Sequence, residues 1–254
     1  MRGLLVRVGI DQTYGGWNAP VNTATGRFVF VPIQDRSYND GNYFENGRRV
    51  YHEEVTTALA NFAIECGDRA GRCFRLPLRL HNEPMHLDPD FLLLTYGDDT
   101  RRGRTLKELK EDDFIAFYSS LRPLDGGKLV YALIGILVLS GTPVRACQIP
   151  DVRRLCNAHT RWKTVQAEDI VAFGKEEQSG MFERCVPIGE FREGAYRVRK
   201  NVLEEWGDIN VKNGWLQRSA NLPEFKSPTT FKNWLGKRNV RLGRAQYQLP
   251  LSEQ

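Results

Sequence analysis

An apolar strand that ends in a carboxylate and runs directly into paired glycines leaves a chain few ways to continue. Residues 1–33 (MRGLLVRVGIDQTYGGWNAPVNTATGRFVFVPI) have this form. Leu4, Leu5, Val6, Val8 and Ile10 predict a strand buried along most of its length, and Phe28 to Ile33 predict a second one rich in β-branched and aromatic residues. Between them lie Asp11, Thr13, Tyr14, Gly15, Gly16, Trp17 and Asn18. The glycine pair lets backbone amides approach a ligand, so Asp11 and its loop fit an anion or nucleotide pocket. They fit equally a tight turn in which Asp11 bonds the loop amides.

Further along, Gln34 to Arg49 is polar and rich in turn pairs, which reads as a long loop or loose hairpin able to cover a site. Val55, Leu59, Phe62 and Ala63 recur at helical spacing within His52 to Glu65, and Gly67 would end that helix. In PMHLDPDFLLLTYGD (84–98) an extended chain would place His86, Asp88 and Asp90 on one face, suited to a metal or to acid/base work. The same letters allow Asp88 to cap a short helix beginning at Pro89, in which case it has no chemistry to do.

Thr105 to Tyr118 reads as a helical turn leading through Asp112 and Asp113 into a strand, and Leu129 to Leu139 (LVYALIGILVL) reads as the next. Asp169 to Phe173 and Phe182 to Ile188 predict the two strands of a hairpin, and Asn201 to Trp206 a short helix before Gly207. Ser227 and Pro228 open a last helix, whose Phe231, Trp234 and Leu235 share one face, making Trp234 a core residue rather than a base-stacking platform.

Composition narrows the class without naming a function. Apolar residues make up 41% and charged residues 26%, an ordinary globular balance. The longest apolar run is half of a membrane span and the N-terminus lacks a signal-peptide pattern, so a cytoplasmic protein with no membrane partner is expected. The five cysteines form no CxxC pair, and with the four histidines they make no regular zinc spacing, so the spacing supports no metal site, leaves metal dependence open and identifies no cofactor. Between Arg192 and Arg244 twelve Lys/Arg face five Asp/Glu, a local balance of +7 against +5 for the whole chain. A basic end of this kind suits a polyanionic partner.

The segments GIDQTYGGWNAPV (9–21), HLDPDFLLLTYGD (86–98), NAHTRW (157–162), SGMFERCVPIGEFREGAYRVR (179–199) and WLQRSANLPEF (215–225) occur in one order. Together they resemble the nucleotide-modification-associated domain family of the third type, found in bacteria, archaea and phages beside genes for DNA modification. The resemblance implies nucleotides or DNA bases as the substrate class and leaves the reaction open, because the family is named for genomic company. Its polar motif positions correspond here to Asp11, Trp17, Asn18, His86, Asp88, His159, Arg161, Arg192, Arg197 and Arg218. The segment 34–49 and the tail after Arg241 have no counterpart in it.

Two function classes follow. An enzyme processing a modified base would use Asp11 as general base or charge stabiliser, His86 or His159 as proton shuttles with Asp88 beside them, and Arg161, Arg192, Arg197 and Arg218 on phosphates. Tyr14, Trp17 and Asn18 would stack on and read the base. A reader without catalysis would use the same aromatic wall and basic rim but needs no histidine-carboxylate pair. A sugar-kinase-type phosphate loop lacks its second half, and neither a Walker loop nor a Rossmann fingerprint occurs. The expected architecture is α+β and mostly β-strands, with a PUA/ASCH-like barrel portion and a few short helices. It forms a single compact domain over 1–254, with 192–244 its basic part. DNA or a nucleotide is the expected partner, with other DNA-modification proteins possible.

Overall fold

The computed structural model describes residues 1–35, 50–67, 74–161, 168–219 and 221–243. Strands are β1 (Gly3–Arg7), β2 (Pro20–Val21), β3 (Ile33–Gln34), β4 (Met85–His86), β5 (Thr95–Asp98), β6 (Phe114–Pro123), β7 (Val130–Val138), β8 (Val144–Arg145), β9 (Ile170–Phe173), β10 (Gly180–Pro187), β11 (Gly189–Arg192), β12 (Ala195–Val198) and β13 (Leu242–Gly243). Helices are α1 (Thr56–Glu65), α2 (Thr100–Lys107), α3 (Lys200–Trp206) and α4 (Pro228–Gly236). None is long and apolar enough to cross a membrane.

The central sheet runs β1-β6-β7-β10-β13, with β2 added beside β6. β1 lies parallel to β6, and the longer pairs β6–β7 and β7–β10 are antiparallel. Because strand side chains alternate, this sheet carries a core on each face. Leu4, Val6, Ile115, Phe117 and Ile134 face one core; Leu5, Phe114, Ala116, Tyr118 and Leu133 face the other. That two-sided burial is why β7 reads as an unbroken apolar run. At Gly135 the close packing is visible, since a Cβ there would lie 2.5 Å from the Phe91 ring. On the second face α3 and α4 close an aromatic cluster in which Phe231 stacks on Phe114 at 5.2 Å and Trp206 meets Phe225 edge-on at 5.3 Å.

The expected barrel does not form among the described residues. The two ends of the sheet are β1 and β13, and the free edge of β1 is taken by residues 223–225 through Leu5 N–H to Pro223 O at 2.8 Å and Phe225 N–H to Gly3 O at 2.9 Å. The architecture is therefore mixed α and β with an open sheet. β9 and β10 are also not a hairpin: β9 pairs with β5 and β8, whereas β10 pairs with β7 and β13. Phe28 to Val31 is buried, yet only Phe28 bridges another strand, at Val21, and the strand proper is Ile33–Gln34. The loop expected over 36–49 lies outside the described residues.

Candidate functional site

His86 ends β4, whose pairing with β3 sets it opposite Ile33. Asp88 follows after the buried Leu87, and no helix begins at Pro89. The capping role falls to Asp90, whose Oδ1 accepts from the Leu92 and Leu93 amides at 2.9 and 3.3 Å, and it is His159 rather than Asp90 that groups with His86 and Asp88. Asp88 Oδ1 instead accepts from Gly97 N–H at 2.6 Å and from the Asn157 amide at 3.0 Å. Gly97 is required here because a Cβ would sit 2.8 Å from Asn157 Oδ1 and 2.9 Å from His159. Asn157 caps the turn Ala158–Thr160 by accepting from His159 N–H at 3.0 Å.

These contacts bring His159 to Asp88. Its Nδ1 donates to Asp169 Oδ1 at 2.9 Å, which leaves Nε2 facing Asp88 Oδ2 across 3.9 Å. The His86 ring meets the His159 ring edge-on at 5.6 Å. One ligand-capable atom from each of His86, Asp88 and His159 falls within 4.8 Å of the others. Side-chain exposure is 26% for His86, 7% for Asp88 and 11% for His159, so the group opens to solvent on the His86 side.

Burial raises the Asp88 carboxyl to about 6 against the opposing pull of His159 and His86. Burial alone would lower His159, but the bond from Asp169 and the charges of Asp88 and Asp98 outweigh it and hold the imidazole at about 9. Behind the group, Arg161 is 2% exposed, and its Nη2 donates to Asp35 Oδ2 at 3.0 Å and to Met85 O at 2.8 Å. Asp35 Oδ1 in turn stands 3.8 Å from His86 Nδ1. On the other side Tyr96 OH donates to Asp98 at 2.9 Å, and Arg102 joins Asp98 at 3.4 Å.

The opening loop builds a second group. Asp11 is 2% exposed. Its Oδ1 accepts from the Thr13 and Tyr14 amides, both at 2.8 Å, and its Oδ2 pairs with Arg7 and Arg218, both at 3.1 Å. Arg218 also donates to Gly9 O and lies over the Tyr14 ring at 4.6 Å. Burial pushes the Arg218 guanidinium down, Asp11 opposes this, and Arg7 and Arg102 add to it. Asn18 is buried and donates to Ser120 O and Oγ at 2.9 and 3.0 Å, while Trp17 packs against the core and Tyr14 stays exposed. The two groups are joined through Arg102, whose Nε donates to Ser219 O at 2.7 Å while its Nη1 reaches Asp98.

Arg192 and Arg197 lie elsewhere. Arg192 pairs with Glu190 at 2.9 Å and bonds Asn213, and Arg197 approaches Glu193 at 3.6 Å and stacks over Trp215 at 5.7 Å. Both tie the β11–β12 hairpin to the turn Lys212–Gly214. Among the described residues no hydrogen bond or ion pair joins them to the histidines or Asp11. Asp169, Asn157, Asp98 and Arg102 complete the group and were not singled out as site residues from sequence; Asn157 and Asp98 sit inside the motifs NAHTRW and HLDPDFLLLTYGD, Asp169 and Arg102 in none.

A cleft of about 390 Å³ lies between Phe28, Val29 and α1, with Glu54, Thr57, Asn61 and the Arg27–Glu65 ion pair in its polar lining and neither His86 nor His159, so shape alone does not point to the histidines. A family model described as nucleotide modification associated domain 3 matches residues 2–229, a span that contains both groups. No curated protein and no solved structure matches the chain.

Proposed function

This chain belongs to the nucleotide modification associated domain 3 family, and on that premise we propose that it is an enzyme acting on a base of DNA or of a nucleotide, with its chemistry at His86, Asp88 and His159. The observation that carries this reading is the convergence of these three side chains from two distant segments, His86 and Asp88 from the end of β4 and His159 from the turn Ala158–Thr160, two of them oriented by their own partners, Asp169 for His159 and Gly97 with Asn157 for Asp88. A recognition module needs no such oriented set. His159 can hold or move a proton at Nε2 toward a substrate entering past His86.

Arg218 and Tyr14 form the neighbouring contact surface. The guanidinium suits a phosphate and the exposed ring suits a base face. Asp11 acts in this reading by fixing Arg218, because both of its oxygens are engaged. Arg161 acts by supporting the β4 end behind His86.

One observation favours a second reading. The engaged, buried Asp11 leaves the opening loop as a binding element only, which is what a reader of a flipped modified base would present. The test is mass spectrometry of nucleosides and released bases after incubating the protein with nucleotides and DNA carrying ordinary and hypermodified bases, with and without added divalent cations. A new mass or a lost base supports the enzyme. Retention of one modified substrate without any product supports the reader.

A further inference from the structure

We propose that His86, Asp88 and His159 form a binding site for one divalent first-row transition-metal ion of the zinc or iron(II) class. This deepens the catalytic reading by naming what the group holds, and it rests on that reading only for its use.

The first argument is distance. His159 Nε2 and Asp88 Oδ2 face each other across 3.9 Å, and His86 closes the triangle within 4.8 Å. Such gaps are too long for hydrogen bonds. Two metal–ligand bonds of about 2.1 Å span at most roughly 4.2 Å, so an ion fits between His159 and Asp88 with a small inward shift. The widest gap is closed by movement of His86, the most exposed of the three.

Orientation is the second argument. A histidine that ligates a metal through one ring nitrogen characteristically donates the other to a carboxylate, which fixes its tautomer. His159 does this through Asp169 at 2.9 Å, and it is Nε2 that faces the group. Asp88 is prepared in the same way, since Gly97 and Asn157 hold Oδ1 and leave Oδ2 pointing at His159.

Charge and donor type set the class of ion. Asp98 is paired with Arg102 and Asp35 with Arg161, whereas no lysine or arginine among the described residues makes an ion pair with Asp88. Two imidazoles with one carboxylate select zinc, iron(II), cobalt(II) or manganese(II) over the all-oxygen preferences of magnesium and calcium. Three protein ligands also leave coordination positions open to water or substrate.

The test uses the full chain stripped with chelator and titrated calorimetrically with zinc, then with cobalt(II) followed by visible absorption. One equivalent of zinc should bind, with a cobalt ligand-field spectrum. His86→Gln, on a partly exposed side chain, should weaken binding at least tenfold with an unchanged circular dichroism spectrum. Asp169→Asn, a positioning change, should weaken it by about 10–100-fold, and His81→Ala should leave it unaltered. Absence of saturable binding, or binding that survives both His86→Gln and Asp88→Asn, overturns the site. Metal bound by a protein that transforms no substrate would keep this inference and refute the catalytic reading; turnover without metal binding would do the reverse.

Discussion

Replacing Asp11 with asparagine separates a structural hub from a catalytic base. The substitution keeps a carbonyl oxygen to accept from the Thr13 and Tyr14 amides, so the turn itself can persist. It removes the one negative charge held 3.1 Å from both Arg7 and Arg218 and turns an amide NH₂ toward two guanidinium donors. Breaking a buried ion pair by removing one partner costs about 3–5 kcal/mol. The side chains of Arg7 and Arg218 retain 14% and 15% exposure, which places Asp11→Asn near the lower figure, about 3 kcal/mol. In a chain of this size each kcal/mol moves the melting temperature by roughly 2–4 °C, so a fall of about 6–12 °C is expected by circular dichroism at neutral pH. Arg218→Gln should cost a similar amount, and the double variant should cost clearly less than the sum of the singles because the two share one interaction. A melting temperature within about 2 °C of wild type for Asp11→Asn would refute the hub and return Asp11 to the general-base role.

Three further outcomes follow from the same contacts. His52 is fully buried with its ring nitrogens 2.8 and 3.0 Å from the carbonyls of Glu83 and Pro32, and burial outweighs those contacts to lower its pKa below 6.5. The unfolded chain therefore takes the proton first. Stability from this group is complete above about pH 6.5 and is lost by up to about 1.4 kcal/mol per pH unit below it, until the folded pKa is reached. Urea unfolding compared with His52→Gln checks this, and equal acid slopes would contradict it. Burial raises the Cys185 thiol to about 12 and Cys156 is fully enclosed, whereas Cys147 is exposed. Iodoacetamide mapped by peptide mass should thus label Cys147 in the native protein and the other two only in denaturant, with native labelling of Cys185 the contrary result. Gly97→Ala forces a Cβ against Asn157 and His159, so it should cost about 1–3 kcal/mol and lower zinc affinity together; unchanged affinity would show that the Gly97 contact does not place Asp88.

Local periodicity carried the elements whose partners do not matter to their form. Val55, Leu59, Phe62 and Ala63 line the buried side of α1 and its lead-in turn, Leu129 to Leu139 contains β7, and Trp234 is a core residue. Pairing was less legible, because β9 and β10 are equally good strands whether they join each other or separate sheets. Their partners, β5 and β7, lie far away in sequence. The barrel expectation failed for a related reason: nothing in the composition of 223–225 announces that this stretch will cover the β1 edge.

At the site, HLDPD left Asp88 open between a place beside His86 and a cap for a helix beginning at Pro89. The choice was made by Gly97 and Asn157, which offer donors to Asp88 and not to Asp90. Asp169 looks from sequence like the first residue of a strand, and only the fold lays it against His159. Arg192 and Arg197 are motif arginines whose partners are carboxylates and carbonyls of their own hairpin and its neighbouring turn, a distinction that charge counting could not make.

The most direct test of the central claim compares wild type, His86→Gln and Arg197→Ala on one substrate found by the nucleoside mass-spectrometry screen, with divalent metal supplied. If the chemistry resides at His86, Asp88 and His159, product formation falls at least a hundredfold in His86→Gln, while Arg197→Ala turns over near the wild-type rate. Full activity in His86→Gln, or loss of activity in Arg197→Ala with its fold intact, would contradict the placement of the active centre.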